Sequence, residues 1–131
     1  MTYLPVGVGS TATDINGIGH VVGSRKVAGG YLAGFFWNRS LARTLRAPNE
    51  LNPQAVAVNA DDVIVGNSEF QYGRYDAHAL LWSSHGGLPS TLPRLSEWPV
   101  AAADINDAGV VVGSEASYAT GYPQSRAVIW R

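Results

Sequence analysis

A short motif occurs three times in this chain, and its repetition limits the possible folds more than any other feature. Each copy places an Asn seven residues before a Gly, with β-branched residues just ahead of the Gly. The asparagines of the three copies are Asn16, Asn59 and Asn106, which lie 43 and then 47 residues apart. Periods of about 40 to 50 residues are typical of solenoids and propellers. The sequence therefore predicts one supersecondary unit repeated three times.

Each copy of the motif is predicted to form a β-hairpin. In the second copy, small and β-branched residues fill 55–58 before the turn and 63–65 after it, and such residues favour a pleated strand over a helix. The Asn-x-x-Gly of the first and third copies suits a type I turn followed by a residue with positive φ. Asp62 takes the Gly position in the second copy. Asp tolerates the left-handed region better than most residues, so we expect the same turn there with some strain.

A third apolar run ends each repeat in a tryptophan, at Trp37, Trp82 and Trp130. A large aromatic side chain at one equivalent position is typical of a core residue between packed sheets, so these three are not expected to be ligand platforms. Segments that contain Leu and Pro follow the first two tryptophans, at 41–51 and 88–95. Proline excludes a central strand. We predict a ragged outer strand in each, although 40–46 could form a short helix on propensity alone.

The third repeat lacks this fourth segment, whereas residues 1–8 contain one ahead of the first repeat, Tyr3-Leu4-Pro5-Val6. With four strands A to D in each repeat, the order along the chain is D, ABCD, ABCD, ABC. Such a permutation closes a ring without leaving a raw strand edge, because the N-terminal strand completes the last sheet. The predicted organisation is one domain of repeats 9–52, 53–98, and 99–131 together with 1–8.

The repeats resemble those of the HAF family of extracellular-type repeats, whose units look like Ala-x-x-Ile-Asn-x-x-Gly-x-Val-Val-Gly-x-Ser followed by an Ala-Phe-x-Trp element. The resemblance covers nearly the whole chain and implies propeller-like blades of four strands. Members are commonly much longer and secreted, and the resemblance implies little about activity. The matching residues are Ala12, Ile15, Asn16, Gly19, Val21, Val22, Gly23, Ser24 and Trp37, then Asn59, Gly66 and Trp82, then Ile105, Asn106, Gly109, Val112, Gly113, Ser114 and Trp130.

The predicted fold class is all-β, with three antiparallel four-stranded blades. Propellers typically use about four to eight blades, so three blades in one chain are too few. Two copies related by a two-fold axis would give six, and the N-terminal strand could then close each seam across the dimer interface. We therefore predict a homodimeric six-bladed β-propeller. A single-chain β-prism and a fragment of a longer array are the alternatives.

Composition excludes several classes of partner and site. Nine Lys and Arg nearly balance ten Asp and Glu without any basic run, so neither nucleic acid nor an anionic membrane is an expected partner. The chain has no Cys, and hence neither disulfides nor thiolate chemistry. No signal peptide or membrane span is recognisable in the given residues. We expect a soluble protein whose compartment the sequence does not indicate.

The loops between the second and third strands of each repeat differ in length and content. Variable loops on a repeated scaffold commonly carry function. Tyr and Trp combine an apolar ring with a hydrogen-bonding group, which suits carbohydrate, peptide or protein ligands. The alternative is that these residues cover loop backbone or a subunit interface. The candidate ligand-binding residues are Tyr31, Tyr72, Arg74, Tyr75, Trp98, Tyr118 and Tyr122.

No metal site or cofactor is predicted. The third copy mimics a calcium loop through Asp104, Asn106, Gly109 and Glu115, but no flanking helix is indicated and the other copies lack the final acid. Asp14 and Asp104 occupy equivalent positions. We expect these two carboxylates to accept backbone hydrogen bonds rather than to bind a cation.

The predicted function is a non-enzymatic binding or interaction module, and a hydrolase or lyase with its site at the channel mouth is the alternative. His20, His78 and His85 occupy non-equivalent positions, and no nucleophile elbow or phosphate loop accompanies them. His20 and His85 are expected to be exposed polar residues. His78 with Asp76 is the best acid–base candidate, although a local salt bridge is the stronger expectation. No residue is predicted to be catalytic.

Overall fold

A computed structural model describes residues 1–73, 76–83, 86–117 and 121–131. These residues contain eleven β-strands and one 3₁₀ turn over Ala28–Gly30. The all-β prediction is confirmed. Within the described ranges, no helix has the length and apolar character needed to cross a bilayer.

The strands form three antiparallel sheets in which consecutive strands are hydrogen-bonded neighbours. The first contains β1 (Ser10–Ile15), β2 (Val21–Lys26), β3 (Leu32–Trp37) and β4 (Ala42–Thr44); the second contains β5 (Gln54–Val58), β6 (Ile64–Asn67), β7 (Ala79–Trp82) and β8 (Ser90–Thr91); the third contains β9 (Val100–Ile105), β10 (Val111–Ser117) and β11 (Gln124–Trp130). The predicted hairpins and tryptophan-ending strands are confirmed. The outer strands β4 and β8 are short, as the prolines nearby require.

The turns after β1, β5 and β9 have the predicted geometry. Asp62 adopts a φ of 59°, and its N–H donates to the carbonyl of Asn59 at 3.2 Å, so the second copy keeps the turn without a Gly. The side-chain oxygen of Asn59 accepts the N–H of Val63 at 2.9 Å. The other two copies repeat this bond, from His20 to Asn16 and from Val110 to Asn106. The Asn of the motif therefore serves to close the turn.

The Gly of the motif is required by a β-bulge. In every sheet the register between the first two strands shifts by one residue. The shift brings a carbonyl of the first strand against the second, and a Cβ on Gly66 would lie 2.1 Å from the oxygen of Gln54. The corresponding distance is 2.0 Å at both Gly23 and Gly113. No side chain fits there, so the Gly is retained in all three repeats.

The three sheets stack face to face in chain order. The first interface is a buried apolar cluster that includes Phe36 and Leu45 of the first sheet and Trp82 of the second. The second interface includes Val65 of the second sheet and Val111 of the third. Strand β5 contacts both β1 and β9, as the inner strands of consecutive blades would. The described strands of the first and third sheets form no such interface, so the single chain is an open stack rather than a closed ring.

The prediction that residues 1–8 form a strand on the third sheet is wrong for the single chain. These residues form no strand, and Leu4 and Val6 pack instead against Val21 and Phe35 of the first sheet. The first and third sheets lie at opposite ends of the stack. A segment that leads directly into β1 therefore cannot reach β11, and the third sheet of the described chain has three strands.

Candidate functional site

The loops after β2, β6 and β10 lie at the same end of the stack as the connections after β4 and β8. The N–H of Glu69 donates to the carbonyl of Leu51 at 2.8 Å, and the N–H of Ala116 donates to that of Pro99 at 3.0 Å. A backbone bond thus joins the connection after β4 to the loop after β6, and another joins the connection after β8 to the end of β10. We call the surface formed by these loops and connections the loop face.

A groove opens on the loop face between the loop after β2 and the connection after β4. Its volume is about 430 Å³. Tyr31 lines it with a ring that is 56% exposed, and Leu51 and Pro53 contribute apolar surface from the connection. Glu50 and Asn52 are polar residues at its margin. Among the candidate residues that the structure describes, Tyr31 is the one that lines this groove.

Asn52 holds the connection after β4 in place beside the groove. Its backbone has a φ of 47°, a conformation that Asn tolerates better than most residues. Its Oδ1 accepts the N–H of Leu32 at 2.8 Å, and its Nδ2 donates to Glu69 at 2.9 Å. One side chain therefore ties the connection after β4 to the start of β3 and to the loop after β6.

A second polar side chain of the connection, Glu50, holds the loop after β6. Ser68 Oγ donates to one carboxylate oxygen of Glu50 at 2.6 Å, and Nδ1 of His78 lies 3.0 Å from both oxygens. The backbone N–H of His78 donates to Ser68 Oγ at 3.1 Å. The Ser68 hydroxyl is directed at the carboxylate rather than at the imidazole. The three side chains consequently do not form a nucleophile and its base.

The predicted pair of His78 and Asp76 is a loose contact. Nε2 of His78 lies 3.8 Å from Oδ2 of Asp76, whereas Arg94 approaches the same oxygen to 2.8 Å. Together with Glu50, these side chains form a row that joins the connection after β4, the loop after β6 and the connection after β8. The expectation of a local salt bridge is confirmed, and the row cross-links the loop face.

The other aromatic candidates occupy different parts of the loop face. Tyr72 is exposed on the loop after β6, and Tyr122 is exposed just before β11. Trp98 lies half-buried on the connection after β8, where its backbone N–H donates to Ser96 Oγ at 3.1 Å. The remaining candidates and the third histidine lie outside the described residues: Arg74, Tyr75, Tyr118 and His85.

Sequence reasoning missed the polar residues that shape the groove, Glu50 and Asn52. A local signal was present, because both lie in the Pro-flanked segment 48–53, and Asn before Pro favours a turn. Their partners could not be inferred from it. His78 lies 28 residues from Glu50, and Leu32 lies 20 residues from Asn52.

At the opposite end of the stack, the prediction that His20 is merely an exposed polar residue is wrong. Its Nδ1 lies 2.8 Å from Oδ1 of Asp62, and its ring meets Phe36 edge-on with centroids 5.3 Å apart. Asp62 also accepts a hydrogen bond from Asn16 Nδ2 at 2.8 Å. The left-handed residue of the second turn thus clamps the first turn, which is a scaffold role.

The carboxylates of Asp14 and Asp104 bond to backbone, as predicted. Asp14 accepts the N–H of Ile15 at 2.8 Å and that of Val58 at 2.9 Å, and Asp104 accepts the N–H of Ile105 at 2.8 Å. Within the described ranges, no three His, Asp or Glu side chains are grouped closely enough to hold a metal ion.

The calcium-loop pattern of the third repeat does not converge on one point. Glu115, its last position, is buried at the loop face and accepts a hydrogen bond from Ser96 Oγ at 2.7 Å. Asn106, its third position, closes the turn at the opposite end of the sheet. The pattern is therefore an accident of the repeat.

Searches of protein-family models, curated proteins and solved structures found no significant match to the chain. The resemblance to the HAF repeats rests on the motif in the sequence alone.

Proposed function

We propose that this chain is a non-enzymatic binding module built from propeller-like blades, whose loop face contacts a carbohydrate, a peptide or another protein. The groove at Tyr31 supports this proposal. It combines apolar walls with a small number of polar groups, which is the usual composition of a ligand site. The exposed Tyr31 ring offers a flat surface for a sugar ring or an apolar side chain.

The observation that favours binding over catalysis is the state of the polar side chains beside the groove. Ser68, Glu50 and His78 bond to one another, and Asp76 pairs with Arg94. A general base or nucleophile has to reach the substrate within hydrogen-bonding distance. These groups instead join loops and connections, so their geometry supports a rigid binding surface.

A hydrolase or lyase that uses His78 and Asp76 is the alternative. The two functions respond differently to the double substitution Asp76→Asn with His78→Gln. A binding module keeps nearly all of its ligand affinity, because neither side chain lines the groove. An enzyme of this kind loses its turnover.

We propose further that two copies form a six-bladed ring. The open stack of three sheets supports this, since consecutive sheets pack like blades and both end sheets are left without a neighbour. A single-chain β-prism would need contact between the first and third sheets. The described strands of these two sheets form no packed interface with each other.

The binding proposal is tested by NMR titration of the ¹⁵N-labelled chain with cellotetraose, maltotetraose and a decaproline peptide. At least one of these is expected to shift resonances of Tyr31 and of residues 46–53. Tyr31→Ala should remove the response, whereas Ile18→Ala, which truncates an exposed apolar residue at the opposite end, should preserve it. Absence of any loop-face shift with all three ligands would contradict the assignment of the groove.

A further inference from the structure

We infer that residues 1–4 of one copy form the fourth strand of the third sheet in a second copy, and so seal both seams of the ring. This inference rests on the proposed homodimer and names the contacts that form it. Three kinds of hydrogen bond each occur twice within the chain, and each lacks its third copy at an end of the stack.

A leucine anchors the outer strand of each complete sheet. The N–H of Leu45 donates to the carbonyl of Gly34 at 2.8 Å, and the N–H of Leu92 donates to that of Ala79 at 2.9 Å. Both side chains enter the apolar cluster between their own sheet and the next. Gly34 and Ala79 each lie three residues before the tryptophan of their strand. The equivalent acceptor in the third sheet is the carbonyl of Ala127.

Leu4 has the sequence context and the position of this anchor. It packs on Phe35 of the first sheet, just as Leu45 packs on the second sheet. Val6 follows Leu4 by two residues and joins the same cluster, as Ala47 follows Leu45. The segment therefore already covers its own first sheet in the manner of a preceding outer strand. Its missing neighbour is a third sheet, which a second copy supplies through Ala127 of the partner subunit.

The repeated tryptophan identifies a second incomplete bond. Trp82 Nε1 donates to the carbonyl of Arg46 at 3.0 Å, and Trp130 Nε1 donates to that of Pro93 at 2.7 Å. Each acceptor is the residue after an anchor leucine, so the equivalent acceptor for Trp37 is Pro5. Trp37 Nε1 is buried without an acceptor among the described residues. A buried donor without a partner is destabilising, and placing residues 1–5 in the register of an outer strand supplies one.

The asparagine of the motif gives a third bond of the same kind. Asn16 Nδ2 donates to the carbonyl of Asn59 at 3.0 Å, and Asn59 Nδ2 donates to that of Asn106 at 3.1 Å. Continuation of the series across the seam pairs Asn106 Nδ2 with the carbonyl of Asn16 of the partner subunit.

Apolar side chains are exposed on the two end faces at positions that are buried elsewhere. Ile15 is 62% exposed, whereas its equivalents Val58 and Ile105 are 5% and 6% exposed. On the other end face, Ile129 is 51% exposed, whereas its equivalent Phe36 is buried. Since these positions face each other across the interfaces within the chain, the third sheet of one copy fits the first sheet of another. A cavity of about 650 Å³ between residues 1–10 and Phe35 lies on this face.

The occupant of both faces is therefore a second copy rather than an unrelated protein. The open edge of β11, the amide of Asn106 and the exposed Ile129 each have their complement on the first-sheet end of the same chain. An unrelated partner would have to reproduce the outer-strand register and the face of a blade together.

Cysteine cross-linking tests the register directly, because the natural chain has no Cys. Phe35 lies opposite Thr44, and Leu80 lies opposite Thr91, which places Tyr3 opposite Val128 of the partner subunit. These are non-hydrogen-bonded pairs, in which Cα atoms lie about 4.5 Å apart, close enough for a disulfide. Tyr3→Cys with Val128→Cys should yield a covalent dimer on mild oxidation.

The matched control is Tyr3→Cys with Gln124→Cys, which keeps the second cysteine on the same side of β11 but four residues away. It should yield little covalent dimer, and circular dichroism of both reduced variants should match the parent. Equal cross-linking of both pairs would overturn the inferred register. A non-covalent dimer without a Tyr3–Val128 link would refute the strand exchange and leave the homodimer standing. A monomer at all concentrations would refute both.

Discussion

The second and third sheets share one strand pattern, but their burial differs. In the second sheet, β7 is almost entirely buried and Trp82 has no exposed surface. In the third sheet, β11 carries the equivalent sequence, yet residues 124–127 are exposed and Trp130 is only half-buried. The second sheet lies between two neighbours, whereas the third has a neighbour on one face and an open edge. Position in the stack therefore decides burial, as in other repeat architectures.

The repeated residues are of two kinds, those with a role within one sheet and those that pack against a neighbouring sheet. The bulge Gly and the turn Asn meet requirements within one sheet, so they occur in every repeat whatever surrounds it. The apolar residues of the faces depend on a neighbouring sheet. Their retention at both ends of the stack, at Ile15 and Ile129, supports the proposed packing of a second copy on these faces.

The largest expected effect comes from the tryptophans. Trp82→Ala removes a fully buried ring and its bond to the carbonyl of Arg46, and should lower the free energy of unfolding by about 3–5 kcal/mol. Trp130→Ala should cost clearly less in urea unfolding of the dilute chain. Equal losses under those conditions would show that the third sheet is already covered in the monomer.

Substitution of the bulge Gly should lower the unfolding free energy equally in the second and third sheets. Gly66→Ala and Gly113→Ala both place a Cβ against a backbone carbonyl, and each should lower the unfolding free energy by about 3 kcal/mol. Gly17→Ala is the control, because an added Cβ meets nothing there. A mild effect at Gly113 alone would mean that the third sheet relaxes in a way that the second cannot.

Substitution of the turn Asn should lower the unfolding free energy more in the second sheet than in the third. Asn59→Ala removes a buried amide that bonds to Asn106, Asp61 and Val63, at a cost of about 2 kcal/mol. Asn106→Ala in the dilute chain loses the turn bond to Val110, and its side chain bonds to no other repeat among the described residues, so its cost should be about 1 kcal/mol lower. Thermal unfolding at several protein concentrations measures both. The difference between the two costs should shrink at protein concentrations at which two copies form the proposed ring.

The smallest effect on the isolated chain is expected at the exposed face of the third sheet. Ile129→Lys should change the unfolding free energy of the dilute chain by less than about 0.5 kcal/mol, because the side chain already faces solvent. The same change should abolish association of two copies. Leu88→Lys, at an exposed position just before β8 of the middle sheet, is the control that should leave association intact. Unimpaired association of the Ile129 variant would place the interface elsewhere.

Most of the scaffold could be predicted from the sequence, because the signals are local. The spacing of Asn16 from Gly23, the β-branched runs and the prolines after Trp82 each determine a structure within a few residues. The position of residues 1–8 could not be predicted for the single chain. Their strand partner is not within reach, and packing on Phe35 takes its place.

The candidate site was less predictable than the scaffold. Tyr31 could be proposed because it lies on a variable loop. The contact of Glu50 with His78 joins two repeats, and the contact of Arg94 with Asp76 joins distant residues of the second repeat. No spacing in the sequence indicates either contact. The same reason applies to the pair of His20 and Asp62, which are 42 residues apart.

The central claim is that the two open ends of the stack belong to one interface between two copies. Light scattering across a dilution series measures the molecular mass and tests this most directly. We expect a particle of twice the 13.9 kDa chain mass that dissociates only at high dilution. A particle of one chain mass at every concentration would contradict it, and the end faces would then need another explanation.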